Sequence, residues 1–205
     1  MTTTNNLKFF NMLKKGDKKL INAWAFYDWA NSVYSLVIGT AVFPLYYSNI
    51  TEGATVSFLG TEWEHPDTLY SYALSFSFLV VAFMSPILSA IADYTGNKKR
   101  FLQIFCWIGS LSVMSLYFFD GIDTVWIGIV FTILASVGFW SSIVFYNAYL
   151  PEVAFPEDQD RVSAKGFILG YLGSVILLVI NLGMILKPEL LGITSGTASQ
   201  ISFVM

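Results

Sequence analysis

Asp28, Asn31, Ser32 and Ser35 fall within about two helical turns of an otherwise apolar run, AFYDWANSVYSLVIGTAVFPLYY, residues 25–47. Asp28 carries the one formal charge in that run. Asp28, Ser32, Ser35 and Gly39 recur at spacings of four, three and four, which places them on one helical face with Asn31 beside it. One acid, two hydroxyls and a glycine are a poor surface for lipid but a good lining for a watery path. Ionisable groups in membrane helices usually face the bundle interior and mark substrate or proton routes. These four residues are therefore candidates for a solute pathway, with Asp28 a candidate proton site. The alternative is that Asp28 pairs with a basic loop residue such as Arg161 or Lys98 and fixes helix packing. Both roles can coexist in a gate.

Other chemistries lack their residues. Cys106 is the single cysteine and His65 the single histidine, so no disulfide framework, Cys-based metal site or His cluster can form. His65 stands in a polar loop and reads as an ordinary solvated residue. No metal, organic cofactor or nucleic-acid partner is expected. A membrane-embedded enzyme or receptor subunit is the competing class, and catalysis there would need several convergent polar groups.

The elements that must hold these residues follow from composition. Hydrophobic residues make up 55% of the chain and charged residues 12%, with a mean hydropathy of +0.62. A globular domain is about a quarter charged, so this chain cannot cover a water-facing surface. Five runs, 24–47, 69–92, 101–119, 125–149 and 166–186, approach or exceed the ~20 apolar residues that cross a hydrocarbon core. Apart from Asp28 they hold no Lys, Arg, Asp or Glu. They are too long for strands and lack dyad alternation, and backbone in lipid must satisfy itself, so they are helices. The expected fold is all-α, a polytopic transmembrane bundle.

Ten of the eleven Lys and Arg lie before the first run, between the second and third, or between the fourth and fifth. The opposite loops hold Lys187 with Glu52, Glu62, Glu64, Asp67, Asp120, Asp123 and Glu189. The positive-inside rule puts the N-terminus in the cytoplasm. Residues 1–22 form a basic leader with no signal-peptide pattern. Within it, LKFFNMLKK, 7–15, reads either as a short interfacial helix or as a disordered basic stretch. The transmembrane domain is expected over 23–205. After Pro188 a Gly, Ser and Thr-rich segment leads into an apolar run from about Ala198. Its eight residues would span only about 12 Å as a helix, and it reads as a sixth membrane helix cut off near its start.

Packing signals lie on the second and fifth runs. Positions 71, 75, 78, 82, 85 and 89 make a seam of mainly small residues, Ser85 and Ser89 among them, suited to close helix approach. Pro86 should bend that helix. Gly166 and Gly170 form a GxxxG and Gly173 extends it. Glu152, after Pro151 at a membrane boundary, reads as a solvated carboxylate.

The loop SAIADYTGNKKRF, 89–101, resembles the cytoplasmic motif of the major facilitator superfamily, Gly-x-Leu-x-Asp-Arg-x-Gly-Arg-Lys, between the second and third helices. Asp93, Gly96 and Lys98 match in type and spacing. Ser89, Tyr94 and Asn97 depart from it. The resemblance implies an inner gate formed by Asp93, Gly96, Lys98, Lys99 and Arg100. An acid at a helix C-terminus is disfavoured by the dipole, so Asp93 needs a basic partner or a neighbouring helix N-terminus.

YDWANSVYSLVIGTAVFPLYY, YNAYLPEVA and VSAKGFILGYLGS together resemble the vacuole-effluxer branch, which holds the autophagy-related vacuolar amino-acid exporters and their bacterial relatives. The resemblance runs from about Trp24 to Leu186. It implies twelve helices in two halves, each half three plus three with inverted topology. It implies a secondary transporter for amino acids or similar solutes, working by alternating access. This chain would be most of the N-terminal half, its partners lipid, a small solute and the missing C-terminal half. In a bacterium it would lie in the plasma membrane. A fragment that does not transport by itself is the remaining alternative.

Overall fold

The computed structural model describes residues 14–205. The expected interfacial helix over 7–15 lies almost wholly outside the described residues. Helix α1, Lys18–Thr51, is the longest element. Asp17 caps it, its Oδ1 accepting the Lys19 N–H at 2.7 Å. The helix is α-helical to Val33, π-helical over Tyr34–Val42, and α-helical again over Phe43–Thr51. The wide turns lead up to Pro44, which has no N–H for the Thr40 carbonyl and whose ring would crowd it. A π register relieves that crowding. Within it the Thr40 hydroxyl donates to the Ser35 carbonyl at 2.6 Å, and the Phe43 N–H reaches back to Ile38 O. π turns usually come singly and mark functional sites.

A small hairpin follows, β1, Val56–Phe58, paired antiparallel with β2, Thr61–Trp63, in the register Val56↔Trp63. Its two-residue turn, Leu59-Gly60, has both φ angles positive, at 52° and 77°, the geometry that matches strand twist. Helix α2, Pro66–Thr95, starts on a proline, which needs no N–H there, and stops at Gly96, left-handed at φ 63°. Helix α3 is Lys98–Ser115, α4 is Val125–Val153, and α5 is Gln159–Leu186. Helix α6, Ser195–Ser202, is capped by Thr194 and begins three residues before the expected start at Ala198.

The five long helices are each apolar enough to cross a membrane. They extend past the expected apolar runs, because a helix continues into the headgroup layer with its charged ends. Helix α1 packs along α5, while α2 and α3 pack on α4. Contacts between Lys98 and Glu152, Lys165 and Asn22, and Lys15 and Phe155 draw the basic loops to one end of the bundle. At the other end Phe43, Tyr46, Tyr47, Tyr70, Phe119 and Phe203 form an aromatic core. Large apolar side chains point outward, Phe83 at 72% and Phe167 at 71% exposure. Such a surface suits acyl chains and not water.

The small-residue seam of α2 faces outward among the described residues. Ser71, Ser75, Phe78, Ala82 and Ser89 are exposed and Ser85 is half-buried. Among the described residues the helix buries Leu69, Tyr70, Ala73, Ser77 and Leu88.

Candidate functional site

Asp28 sits half-buried in α1 where that helix crosses α5. The crossing is close because α5 presents glycines. A Cβ on Gly170 would stand 2.6 Å from Ser32 Oγ and 3.0 Å from Asp28 Oδ2. One on Gly173 would meet the Trp29 carbonyl at 2.9 Å, and one on Gly166 the Trp24 ring at 3.0 Å. Gly166, Gly170 and Gly173 thus form the track on which the polar face of α1 lies. Ser32 Oγ donates to Asp28 Oδ1 at 3.1 Å, and Ser35 Oγ donates to the Ser32 carbonyl at 3.1 Å. Among the described residues Asp28 has no cationic partner within 4 Å. Lys98 is paired with Glu152, and Arg161 with Asp158 at 2.8 Å.

Asn31 points elsewhere. It lines a cavity of about 330 Å³ between α1, α3, α4 and the residues after α6, with Tyr27, Tyr34, Cys106, Ser110 and Ser142 among its polar walls. The Tyr27 hydroxyl lies 3.5 Å from both Asn31 Oδ1 and Cys106 Sγ. The Tyr34 hydroxyl is 2.8 Å from Ser136 Oγ, which ties the π segment to α4. Of the four residues singled out in α1, then, Asn31 faces this cavity while Asp28 and Ser32 face α5. The π register begins at Tyr34, so the 3.6-residue repeat that grouped Gly39 with Asp28 and Ser32 does not run through it.

At the basic end, Lys98 stands at the first position of α3, where the helix dipole disfavours a cation. It reaches instead to the C-terminus of α4. Its Nζ donates to the Ala148 carbonyl at 3.2 Å and to Glu152 Oε1 at 2.7 Å, and lies 4.0 Å from Asp93 Oδ1. The Lys98 side chain is 15% exposed while Asp93 and Glu152 are 78% and 54% exposed. This clasp joins α2, α3 and α4. Lys99 and Arg100 are exposed beside it. Gly96 supplies the left-handed turn that lets α3 start two residues later.

Four residues had no local signal. Glu152 is paired across the fold with Lys98. Trp24 and Tyr146 stack at 4.3 Å with their planes 10° apart, deep in the interior. Gly138 meets the backbone of Gly109 where α3 and α4 touch. Among the described residues no group of three His, Cys, Asp or Glu comes together to hold a metal.

Long apolar helices, a polar track at a helix crossing and a charged clasp between neighbouring helix ends make this a multi-pass membrane bundle. The chain belongs to the vacuole effluxer Atg22-like family, whose model matches residues 16–204. It is 37% identical over 94% of its length to an uncharacterized MFS-type transporter, YxiO, of Bacillus subtilis, covering 44% of that protein. An uncharacterized protein of Aquifex aeolicus is 25% identical over 82% of this chain and 39% of its own length. Autophagy-related protein 22 of Gibberella zeae is 38% identical over 39% of this chain and 12% of its own. The chain therefore spans less than half the length of these relatives. No solved structure matches it. The family is one of membrane transporters, which answers the enzyme alternative.

Proposed function

We propose that this chain supplies the N-terminal half of a secondary transporter that moves amino acids or similar small solutes by alternating access, coupled to protons through Asp28. The observation that carries the reading is the placing of Asp28. It is a carboxyl held half-buried on a glycine track, hydrogen-bonded by Ser32 and without a cation among the described residues. A carboxylate that served packing alone would be expected to have a counter-ion, since an unpaired charge in a membrane is costly. One that must gain and lose a proton has to be left without one. On this reading Asn31 lines the route at the cavity, Ser32 and Ser35 line it beside Asp28, and Asp93, Gly96, Lys98, Lys99 and Arg100 form the inner gate, with Glu152 as a further member. The amino-acid substrate rests on the resemblance of the YDWANS and YNAYLPEVA stretches to the vacuolar exporters. The N-terminus lies in the cytoplasm and, in a bacterium, the protein lies in the plasma membrane.

The test is Asp28→Asn in the full-length protein, reconstituted in liposomes and assayed for amino-acid flux with and without a pH gradient. The expected result is a tenfold or greater loss of gradient-driven flux, with equilibrative exchange retained. Flux that keeps the wild-type dependence on the gradient would remove Asp28 from the coupling.

A further inference from the structure

Tyr146, on α4, is 6% exposed, and its hydroxyl is buried with no hydrogen-bond partner. Buried polar groups are nearly always paired, so an unpaired phenol inside a membrane bundle calls for a reason. Its ring is not free to turn away. Trp24 stacks on it at 4.3 Å and Tyr27 at 5.1 Å, and the Tyr146 carbonyl accepts the Trp24 indole N–H at 3.1 Å. The hydroxyl is aimed at the notch left by Gly166. A Cβ there would stand 2.9 Å from the phenol oxygen and 3.6 Å from Asp28 Oδ2. Phenol and carboxyl thus face one gap from two helices, with the third helix giving way between them.

We propose that Tyr146 is the partner Asp28 takes in a second arrangement of α1, a hydrogen-bonded latch from the phenol to the ionised carboxylate that protonation weakens. The inference rests on the coupling role of Asp28. A hydrogen bond to an ionised acceptor is roughly twice as strong as a neutral one, so the latch holds α1 to α4 more tightly while Asp28 is ionised and weakens when it is protonated. The glycines of α5 let α1 shift without crossing side chains. The groups that face Asp28 are few. Tyr27 and Ser32 belong to α1, Tyr146 to α4, and Gly166 and Gly170 to α5. Cys106 of α3 lies beyond Tyr27, and Lys165 of α5 bonds the Asn22 side chain. None of these brings a charge that would replace the phenol.

Tyr146→Phe in the full-length transporter removes one hydroxyl and keeps both ring stacks and the carbonyl acceptor. Flux is expected to fall about tenfold at the alkaline end of the pH profile and less than twofold at the acidic end. In an Asp28→Asn background the same change is expected to cost less than twofold at any pH, because its partner is gone. A Tyr146→Phe profile that superposes on wild type, or falls by one factor at every pH, overturns the latch while Asp28→Asn still reports on the coupling. If Asp28→Asn itself leaves the pH dependence intact, the coupling reading fails and the latch with it. Should Tyr146→Phe not accumulate, pH-difference infrared spectra of wild type and Asp28→Asn decide. A tyrosine C–O band that moves together with the Asp28 carboxyl band supports the latch, and a tyrosine band that stays still overturns it.

Discussion

Lys98 opens the first turn of its own helix, where a cation is disfavoured, and its side chain turns away. Its ammonium abandons the N-terminus of α3 for the carbonyl of Ala148 and the carboxylate of Glu152, where the C-terminal dipole of α4 favours a cation. An exposed ion pair contributes about 0–1 kcal/mol. Lys98 is the covered partner and also bonds a main-chain carbonyl, so Lys98→Ala should cost about 1 kcal/mol, near the top of that range. Thermal unfolding of the full-length protein in detergent measures it. If the clasp is a gate, flux should change several-fold in the same variant, and the exchange Lys98→Glu with Glu152→Lys should restore most of it. Restored stability without restored flux would make the clasp a brace and not a gate. Little of this was legible beforehand. The Asp93, Gly96 and Lys98 pattern was visible as a motif, but Glu152 lies 54 positions from Lys98, and no local spacing could pair them. Tyr146 was hidden for the same reason, since Trp24 and Tyr27, which stack on it, come from the far end of the chain.

Helices pack here through glycine, and the fit differs sharply from one glycine to the next. A Cβ on Gly138 would lie 2.5 Å from the Gly109 nitrogen and 2.9 Å from the Phe105 carbonyl, so α3 would have to move away from α4. Overpacking of this kind costs about 1–3 kcal/mol. Gly183, on α5, has nothing within 4 Å of the same position, and replacing an open helical glycine with alanine gains about 0.5–1 kcal/mol. Gly138→Ala is therefore expected to lower the unfolding temperature of the full-length protein and Gly183→Ala to hold or raise it. Equal effects would mean the α3–α4 approach is looser than described. The GxxxG on α5 was legible because its glycines recur one turn apart in a single run. The Gly109–Gly138 contact was not, because its halves sit in different runs. The π segment left only Pro44 and Gly39 as traces, and both also suit an ordinary kinked helix. It matters all the same, because the 3.6-residue repeat that groups Gly39 with Asp28 and Ser32 does not run through it.

At the scale of the molecule, the solvent decides. Lipid requires each crossing to satisfy its own backbone, which turns five long apolar runs into five helices with little room for error. That is why the all-α bundle could be read from hydropathy, whereas the hairpin at Val56–Trp63, bound by water and only three residues a strand, could not. The same solvent makes orientation a matter of charge. Lys98, Lys165 and the last residues of the leader gather at one end, while the hairpin with Glu62 and the loop holding Asp120 and Asp123 lie at the other. Moving that basic end across a membrane would strand its cations against the positive-inside bias. In a full-length background without other cysteines, Glu62→Cys in β2 and Glu157→Cys between α4 and α5 put one exposed thiol at each end. A membrane-impermeant maleimide applied to intact cells is expected to label the first and to reach the second only after permeabilisation. The reverse pattern would invert the bundle and, on the proposed mechanism, make the Lys98–Glu152 clasp an outer gate and have Asp28 take its proton from the outside.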